Sequence, residues 1–189
     1  MSLTTREKLL DSAYAEIYKH GFQGASVDTI LANCKITKGS MYHHFKSKKN
    51  LALAVIDEIL APKMTRMVDD VDETLSLKDK LFSIIDFIGT VPYLLASGCP
   101  LSKLTTEMAP LDDDFKVHLS LIHHTLHYSL QKMVQEGIDN GEIKSLDSND
   151  FATFLIASIW GNISLGEGLV TPESYQRSVQ HLKNYIISL

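Results

Sequence analysis

The 189 residues are enough for one substantial domain, or for a small domain joined to a larger one, and 44% hydrophobic with 22% charged residues excludes a disordered chain. The net charge of −5 is unevenly spread: residues 1–50 carry eight basic side chains (Arg6, Lys8, Lys19, Lys35, Lys38, Lys46, Lys48, Lys49) against four acids (Glu7, Asp11, Glu16, Asp28). The acids are therefore concentrated in the rest of the chain, and any contact with a polyanion belongs to the basic head. The longest apolar runs fall far short of a membrane span and no charged-then-apolar leader opens the chain, so no membrane partner is expected. Two cysteines, Cys34 and Cys99, without CxxC spacing make no disulfide framework and predict a reducing, cytoplasmic setting.

Nearly every segment predicts helix, because glycine and proline are sparse and period-2 runs of β-branched residues are absent. Thr4 or Thr5 caps a first helix with apolar positions at Leu9, Leu10, Ala13, Tyr14 and Ile17, ending at His20-Gly21. Ser26 caps a short second helix bearing Val27, Ile30, Leu31 and Cys34. Thr37 caps a third through Phe45, and Ser47 a fourth that begins at Lys48. Longer helices follow. One spans about Lys48–Asp72, with Pro62 expected to kink or break it, and another about Leu77–Ala96, with Pro92 disturbing its end. Gly98-Cys99-Pro100 opens a short helix to Met108. A long helix over Asp112–Asn140 carries the stripe Leu119, Ile122, Leu126, Leu130 and Met133, and Asp112-Asp113-Asp114 complement its dipole. Helices over about Asp147–Gly166 and Pro172–Ile187 complete the chain.

The segment Ser26–Lys48 carries the functional signal. On a helix turning about 100° per residue, Met41 and Phe45 share an inner face, with Ile36 in the preceding turn beneath them, while Gly39 and His43 point away between Ser40 and Tyr42. The outer face is small and polar at its start, aromatic in its middle, and followed by Lys46, Lys48 and Lys49. A helix entering a major groove needs this order: little bulk at its N-terminus, donors for base edges, then cations for phosphates. Backbone N–H groups at Ser26-Val27 and Ser47-Lys48 supply further phosphate donors. Val27, Ile30, Met41 and Phe45 read as core, and His44 as a packing or phosphate-contact residue.

TKGSMYHHFKSKKNL resembles the third helix and the start of the fourth in the tetracycline-repressor (TetR) family, and the resemblance extends back to Thr4. It implies that Tyr42 and Lys48 grip phosphates, that Lys38, Gly39, Ser40 and His43 face bases, and that Thr37 seats the helix. Gly98-Cys99-Pro100-Leu101 and Glu107-Met108 resemble a Gly-Cys-x-Leu motif of one subset of such regulators. Two positions depart from the family pattern: Lys35 stands where the turn glycine is usual, and Leu31 where a small residue is usual. A left-handed lysine costs on the order of 1 kcal/mol, so a differently shaped turn is expected. Lys103 stands where the Gly-Cys subset has Asn.

The expected fold is all-α: residues 1–47 form a three-helix DNA-binding domain with its helix-turn-helix at about 27–46, and residues 48–189 a larger effector-binding and dimerising domain. The resemblance implies a homodimer made through the last two helices, where Ala157, Gly161 and Ser164 lie among Phe151, Phe154, Leu155, Ile159, Trp160 and Ile163. It also implies a repressor whose fourth helix shifts when a small apolar or amphipathic effector enters, releasing palindromic double-stranded operator DNA. Candidate effector-binding residues are Met64, Met67, Phe87, Tyr93, Met108, His123, His127 and Trp160. No nucleotide loop, nucleophile elbow or paired-carboxylate motif is present, so neither catalysis nor a cofactor is expected. The rival reading is a helical metal-dependent enzyme or metal carrier built on His118, His123, His124 and His127, of which His123 and His127 share a face.

Overall fold

A computed structural model describes residues 3–164 and 170–189, and within them every regular element is helical. Helix α1 (Thr5–Gly24) starts at a capping box in which the Thr4 hydroxyl and the Glu7 carboxylate each satisfy a backbone N–H of the other residue. It kinks at Gly21, whose φ of 72° lies in the left-handed region, and makes one further turn beyond the expected end. Helices α2 (Val27–Cys34), α3 (Lys38–His44) and α4 (Lys48–Val55) take Ser26, Thr37 and Ser47 as side-chain N-caps.

Helix α4 runs through a π-helical turn (Ile56–Leu60) into α5 (Ala61–Asp69), so Pro62 does not end the helix. The Ala61 N–H bonds to the Ile56 carbonyl five residues back, and this wider turn lies directly before the residue that lacks an N–H. Pro92 has the stronger effect. The single helix expected over Leu77–Ala96 divides into α6 (Leu77–Gly89) and α7 (Pro92–Ser97), because proline is favoured at a helix's first position and disfavoured inside it. Next come α8 (Pro100–Met108), α9 (Asp113–Asp139), α10 (Ser148–Ser164) and α11 (Pro172–Ile187). Asp112 caps α9 by accepting from the N–H groups of Asp114 and Phe115. The core stripe of α9 ends on Val134, four residues after Leu130, whereas Met133 is only half-buried. The expected end of α10 at Gly166 lies outside the described residues.

The chain forms two compact units. The first takes residues up to Lys63 together with Lys103–Leu121, and the second takes Met64–Ser102 with Ile122–Leu189. Neither unit is contiguous in sequence. In the first unit Leu9, Leu10, Ala13 and Ile17 of α1 are buried with Ile30, Met41, Phe45, Leu51 and Val55, each worth roughly 1.5–3 kcal/mol when fully removed from water. In the second unit Ile84, Ile85 and Ile88 of α6, Leu126 and Leu130 of α9, Leu155 and Ile159 of α10, and Val179 and Ile186 of α11 make the core. The buried Tyr175 hydroxyl donates to the Ile85 carbonyl at 2.9 Å, and Lys183 pairs with Asp86 at 2.6 Å, fastening α11 to α6.

Gly137 marks a close helix approach in the second unit: a Cβ there would run into Leu77 Cδ2 and sit 2.9 Å from Leu77 Cβ. Alanine at an open helix interior gains about 1 kcal/mol over glycine. Gly137→Ala is instead expected to lose about 1–3 kcal/mol through overpacking, read from the urea midpoint. A gain would show that Leu77 can move aside.

Candidate nucleic-acid interface

Helix α3 sorts its side chains as a groove-entering helix must. Met41 and Phe45 are buried, Ser40 is half-buried, and Thr37, Lys38, Gly39, Tyr42, His43, His44 and Lys46 are exposed. The Thr37 hydroxyl accepts from the Ser40 N–H at 3.3 Å and so holds the first turn of α3 in shape. Gly39 is the informative residue. Its φ is not left-handed, and a Cβ added to it would meet nothing within 4 Å. Neither backbone conformation nor packing inside the chain requires glycine there.

The turn between α2 and α3 corrects one expectation. Lys35 adopts φ 56° and ψ 41°, the left-handed conformation, and closes α2 through its N–H to the Ala32 carbonyl. The turn therefore keeps its shape, and the lysine carries the strain. Ser26 is exposed with its hydroxyl capping α2 at Thr29, and Val27 is half-buried. Ser12 Oγ donates to the Ile30 carbonyl at 2.8 Å and the Ser26 N–H donates to the Glu16 carboxylate, which sets α2 on α1.

The basic residues of the first unit fall into two groups. Arg6 pairs in bidentate fashion with Glu58, which holds that carboxyl below its usual range. Lys49 bridges Asp112 and Asp114 at 2.7 Å each, and these hydrogen bonds raise its pKa. Lys48 Nζ donates to the Gln23 carbonyl at 3.3 Å and lies 4.6 Å from the Phe22 ring centre, where desolvation pulls its pKa down. By contrast, among the described residues no acid lies within ion-pairing distance of Lys35, Lys38 or Lys46. Lys38 and Lys46 therefore carry exposed charge outside these ion pairs at the two ends of α3, as Lys8 and Lys19 do on α1.

The second unit holds a small cavity of about 30 Å³, lined by Met64, Met67, Val68, Ile84, Ile88, Leu126, Leu130, Ile156, Ile159 and Trp160. Three candidate effector residues, Met64, Met67 and Trp160, meet there. His123 sits beside it with its ring edge-on to Trp160 at 5.1 Å, and burial, then the neighbouring His124, lowers its pKa. The others lie apart: Phe87 and Tyr93 are about half exposed, Met108 is buried in the first unit, and His127 Nε2 is spent on the Asn149 carbonyl and the Thr153 hydroxyl. Spacing along a helix reports the face a residue occupies, but not what that face meets.

The histidines do not converge as the rival metal reading requires. His118 Nδ1 pairs with Asp57 at 2.7 Å, His123 packs on Trp160 and His127 bonds to α10. Among the described residues, no group of three or more His, Cys, Asp or Glu side chains could hold a metal ion. Cys99 is buried, and desolvation pushes its thiol up, away from the reactive thiolate. No single described helix is long and apolar enough to cross a membrane.

Comparison with known proteins gives a consistent result. The family described as "Bacterial regulatory proteins, tetR family" matches residues 9–55, and "Tetracyclin repressor-like, C-terminal domain" matches residues 82–182. The chain is 32% identical over 139 residues to an uncharacterised HTH-type transcriptional regulator in the lacX 3′ region of Lactococcus lactis subsp. lactis, covering 71% of this chain and 68% of that protein. It is 28% identical to the HTH-type transcriptional repressor DhaR of Mycobacterium sp. (strain GP1), covering 84% of this chain and 80% of that one. A crystal structure of a TetR transcriptional regulator from Chloroflexus aurantiacus superposes with a TM-score of 0.84 at 26% identity, covering 97% and 94% of the two chains. The reduced form of Escherichia coli NemR superposes with a TM-score of 0.78 at 21% identity over 95% of each chain.

Lys35→Gly is expected to stabilise the protein by about 0.5 kcal/mol, since relief of the left-handed strain exceeds the extra chain entropy of glycine. Denaturant melts of both proteins measure it. A loss of stability would mean that the Lys35 side chain makes contacts worth more than its strain.

Proposed function

The chain belongs to the TetR family of bacterial regulatory proteins, and from that premise we propose that it is a homodimeric repressor which a small-molecule effector releases from a palindromic operator. It is a ligand-responsive, DNA-binding transcriptional regulator. The observation that carries the DNA reading is Gly39. A helical glycine costs up to about 1 kcal/mol relative to alanine, and here nothing within the chain demands it. Its bare backbone, between Lys38 and the exposed Tyr42-His43 pair, fits a surface that must approach a groove closely. Lys38, Gly39, Ser40 and His43 are assigned to base edges. Tyr42, His44, Lys46 and Lys48, with the helix starts at Ser26-Val27, are assigned to phosphates. The repressor assignment is supported by the names of DhaR and NemR, and a cytoplasmic location is the setting that operator binding requires of the proposed repressor.

The proposed dimer seam is the outer face of α10 and α11. Phe151, Leu155, Ile159 and Ile163 face inward within the chain, while Phe154, Ala157, Gly161 and Ser164 are exposed at helical spacing, and Tyr185 of α11 packs on Phe154 at 5.4 Å. A second copy would bury this face of small and aromatic residues and set two recognition helices about 34–36 Å apart. The effector is assigned to the cavity at Trp160. Its lining is apolar, and a cavity of about 30 Å³ holds little more than one water, whereas ligand sites span roughly 300–1,000 Å³. An uncharged, largely apolar effector would therefore have to open it by moving Met64, Met67 and Trp160.

Base reading and attachment separate by mutation. His43→Ala is expected to relax preference at one or two symmetric operator positions, worth about 1–3 kcal/mol each, and to leave random DNA nearly unaffected. Tyr42→Phe removes only a hydroxyl and should weaken operator and random DNA in similar proportion. Selection from a randomised operator pool reads both. An unchanged sequence preference for His43→Ala would remove it from the base-reading set.

Assembly has its own test. Arginine at Ala157 or Gly161 is accommodated in a single chain, since both positions are exposed and a Cβ at Gly161 meets nothing within 4 Å. In the proposed seam it would be a buried, unpaired charge. Light scattering should report monomer, and operator binding should collapse with the first unit untouched. A variant that stays dimeric moves the seam elsewhere.

A further inference from the structure

The turn that ends α1 is held from both sides. Glu107, in the last turn of α8, accepts the Phe22 N–H at 2.9 Å through Oε2 and the Gln23 N–H at 2.8 Å through Oε1. The Gln23 carbonyl, on the other side of the same turn, accepts from Lys48 Nζ at 3.3 Å, and the Phe22 ring lies beneath that ammonium. The fit is close. A Cβ on Gly21 would lie 2.6 Å from Glu107 Oε2, at a φ that already favours glycine. Phe22 also packs on Phe115 at 4.7 Å, and Lys103 Nζ donates to the Tyr18 carbonyl one turn earlier.

We infer that Glu107 is a positioning residue for DNA binding: its carboxylate fixes the Gly21–Gln23 turn, and the turn's Gln23 carbonyl holds the Lys48 ammonium in place at the start of α4. This rests on the DNA-binding reading, in which Lys48 grips a phosphate. An ammonium on a four-carbon stem has three donors and many rotamers. Committing one donor to Gln23 and seating the ammonium over the Phe22 ring restricts those rotamers before DNA arrives, and leaves two donors for a phosphate. The carboxylates of Glu107 and Glu16 offset part of the desolvation that Lys48 suffers there. Glu107 touches no nucleic acid in this scheme. It acts through the backbone of another helix.

The test uses the full-length protein, with binding to operator and to random duplex measured across salt. Glu107→Gln keeps the side chain's size but turns one oxygen into an NH2 that faces a backbone donor. Both affinities are expected to fall about fivefold to tenfold, the entropy of two newly freed side chains, one in each subunit of the proposed dimer, because a phosphate contact carries no sequence information. In a Lys48→Ala background the same change should cost less than about twofold, since the group it positions is gone. Amide exchange at Phe22 and Gln23 should accelerate in Glu107→Gln. Operator affinity within about twofold of wild type overturns the inference, and so does a full loss repeated on top of Lys48→Ala, which would mark a general role in folding. Should Glu107→Gln fail to fold, Glu107→Asp withdraws the carboxylate from both N–H groups while keeping its charge, and it is held to the same outcomes. Wild-type protein that binds no duplex at all would overturn the regulatory reading and this inference together, whereas binding that ignores Glu107 overturns the inference alone.

Discussion

Burial of one face of α1 is the constraint on which the DNA-binding unit depends. Leu9, Leu10, Ala13 and Ile17 are almost wholly removed from water, and α2, α3 and α4 are each packed on that helix. Polar contacts then fix how they sit. Ser12 and Glu16 orient α2, Arg6 lies over the Phe45 ring while paired with Glu58, and Tyr14 takes the Lys63 ammonium on its face at 4.0 Å. A recognition helix of seven residues is too short to be stable alone. Its direction is set by what Met41 and Phe45 bury into, which leaves Lys38, Gly39, Tyr42 and His43 exposed on its other face.

The same unit shows why a charge count is a blunt guide to a binding surface. The basic excess of the first 50 residues is partly spent within the fold, on Glu58, Asp112 and Asp114. These exposed or partly exposed pairs add little stability, on the order of 0–1 kcal/mol each. Their larger effect is on the field. Lys38 and Lys46, at the two ends of α3, lie outside these ion pairs among the described residues, so their charge stays available on the side where a groove would lie.

Local chemistry made much of this legible beforehand. The caps at Thr4, Ser26, Thr37 and Ser47 are side-chain-to-backbone bonds spanning three residues, and such bonds follow from residue order. The inner and outer faces of α3 follow from a 3.6-residue period, and the resemblance carried by TKGSMYHHFKSKKNL added roles to those faces. Misjudged elements have equally local causes. Pro62 signals a kink or a break in sequence, and the π turn that carries the helix past it leaves no composition signal. At Lys35 the intrinsic strain of a left-handed lysine predicts a reshaped turn, whereas the backbone that closes α2 imposes that conformation on it. Met133 and Val134 are neighbours, and only the twist of a long helix against its partners chooses between them.

By itself, then, the amino-acid order determined the helices, their starts, the sidedness of α3 and the family to which the chain belongs, because each depends on contacts within a few residues or on a short contiguous motif. The tertiary structure decided the rest. It joined Glu107 and Asp112 to a turn and a helix start more than 60 residues away, gave His118, His123 and His127 of one helix three different partners, and turned Trp160 towards Met64 and Met67 while leaving Phe87 at the surface. The physical reason is the same throughout. Periodicity specifies which side of a helix is buried, whereas the identity of the neighbour on that side depends on how helices distant in sequence pack, and that is settled only when the whole core closes.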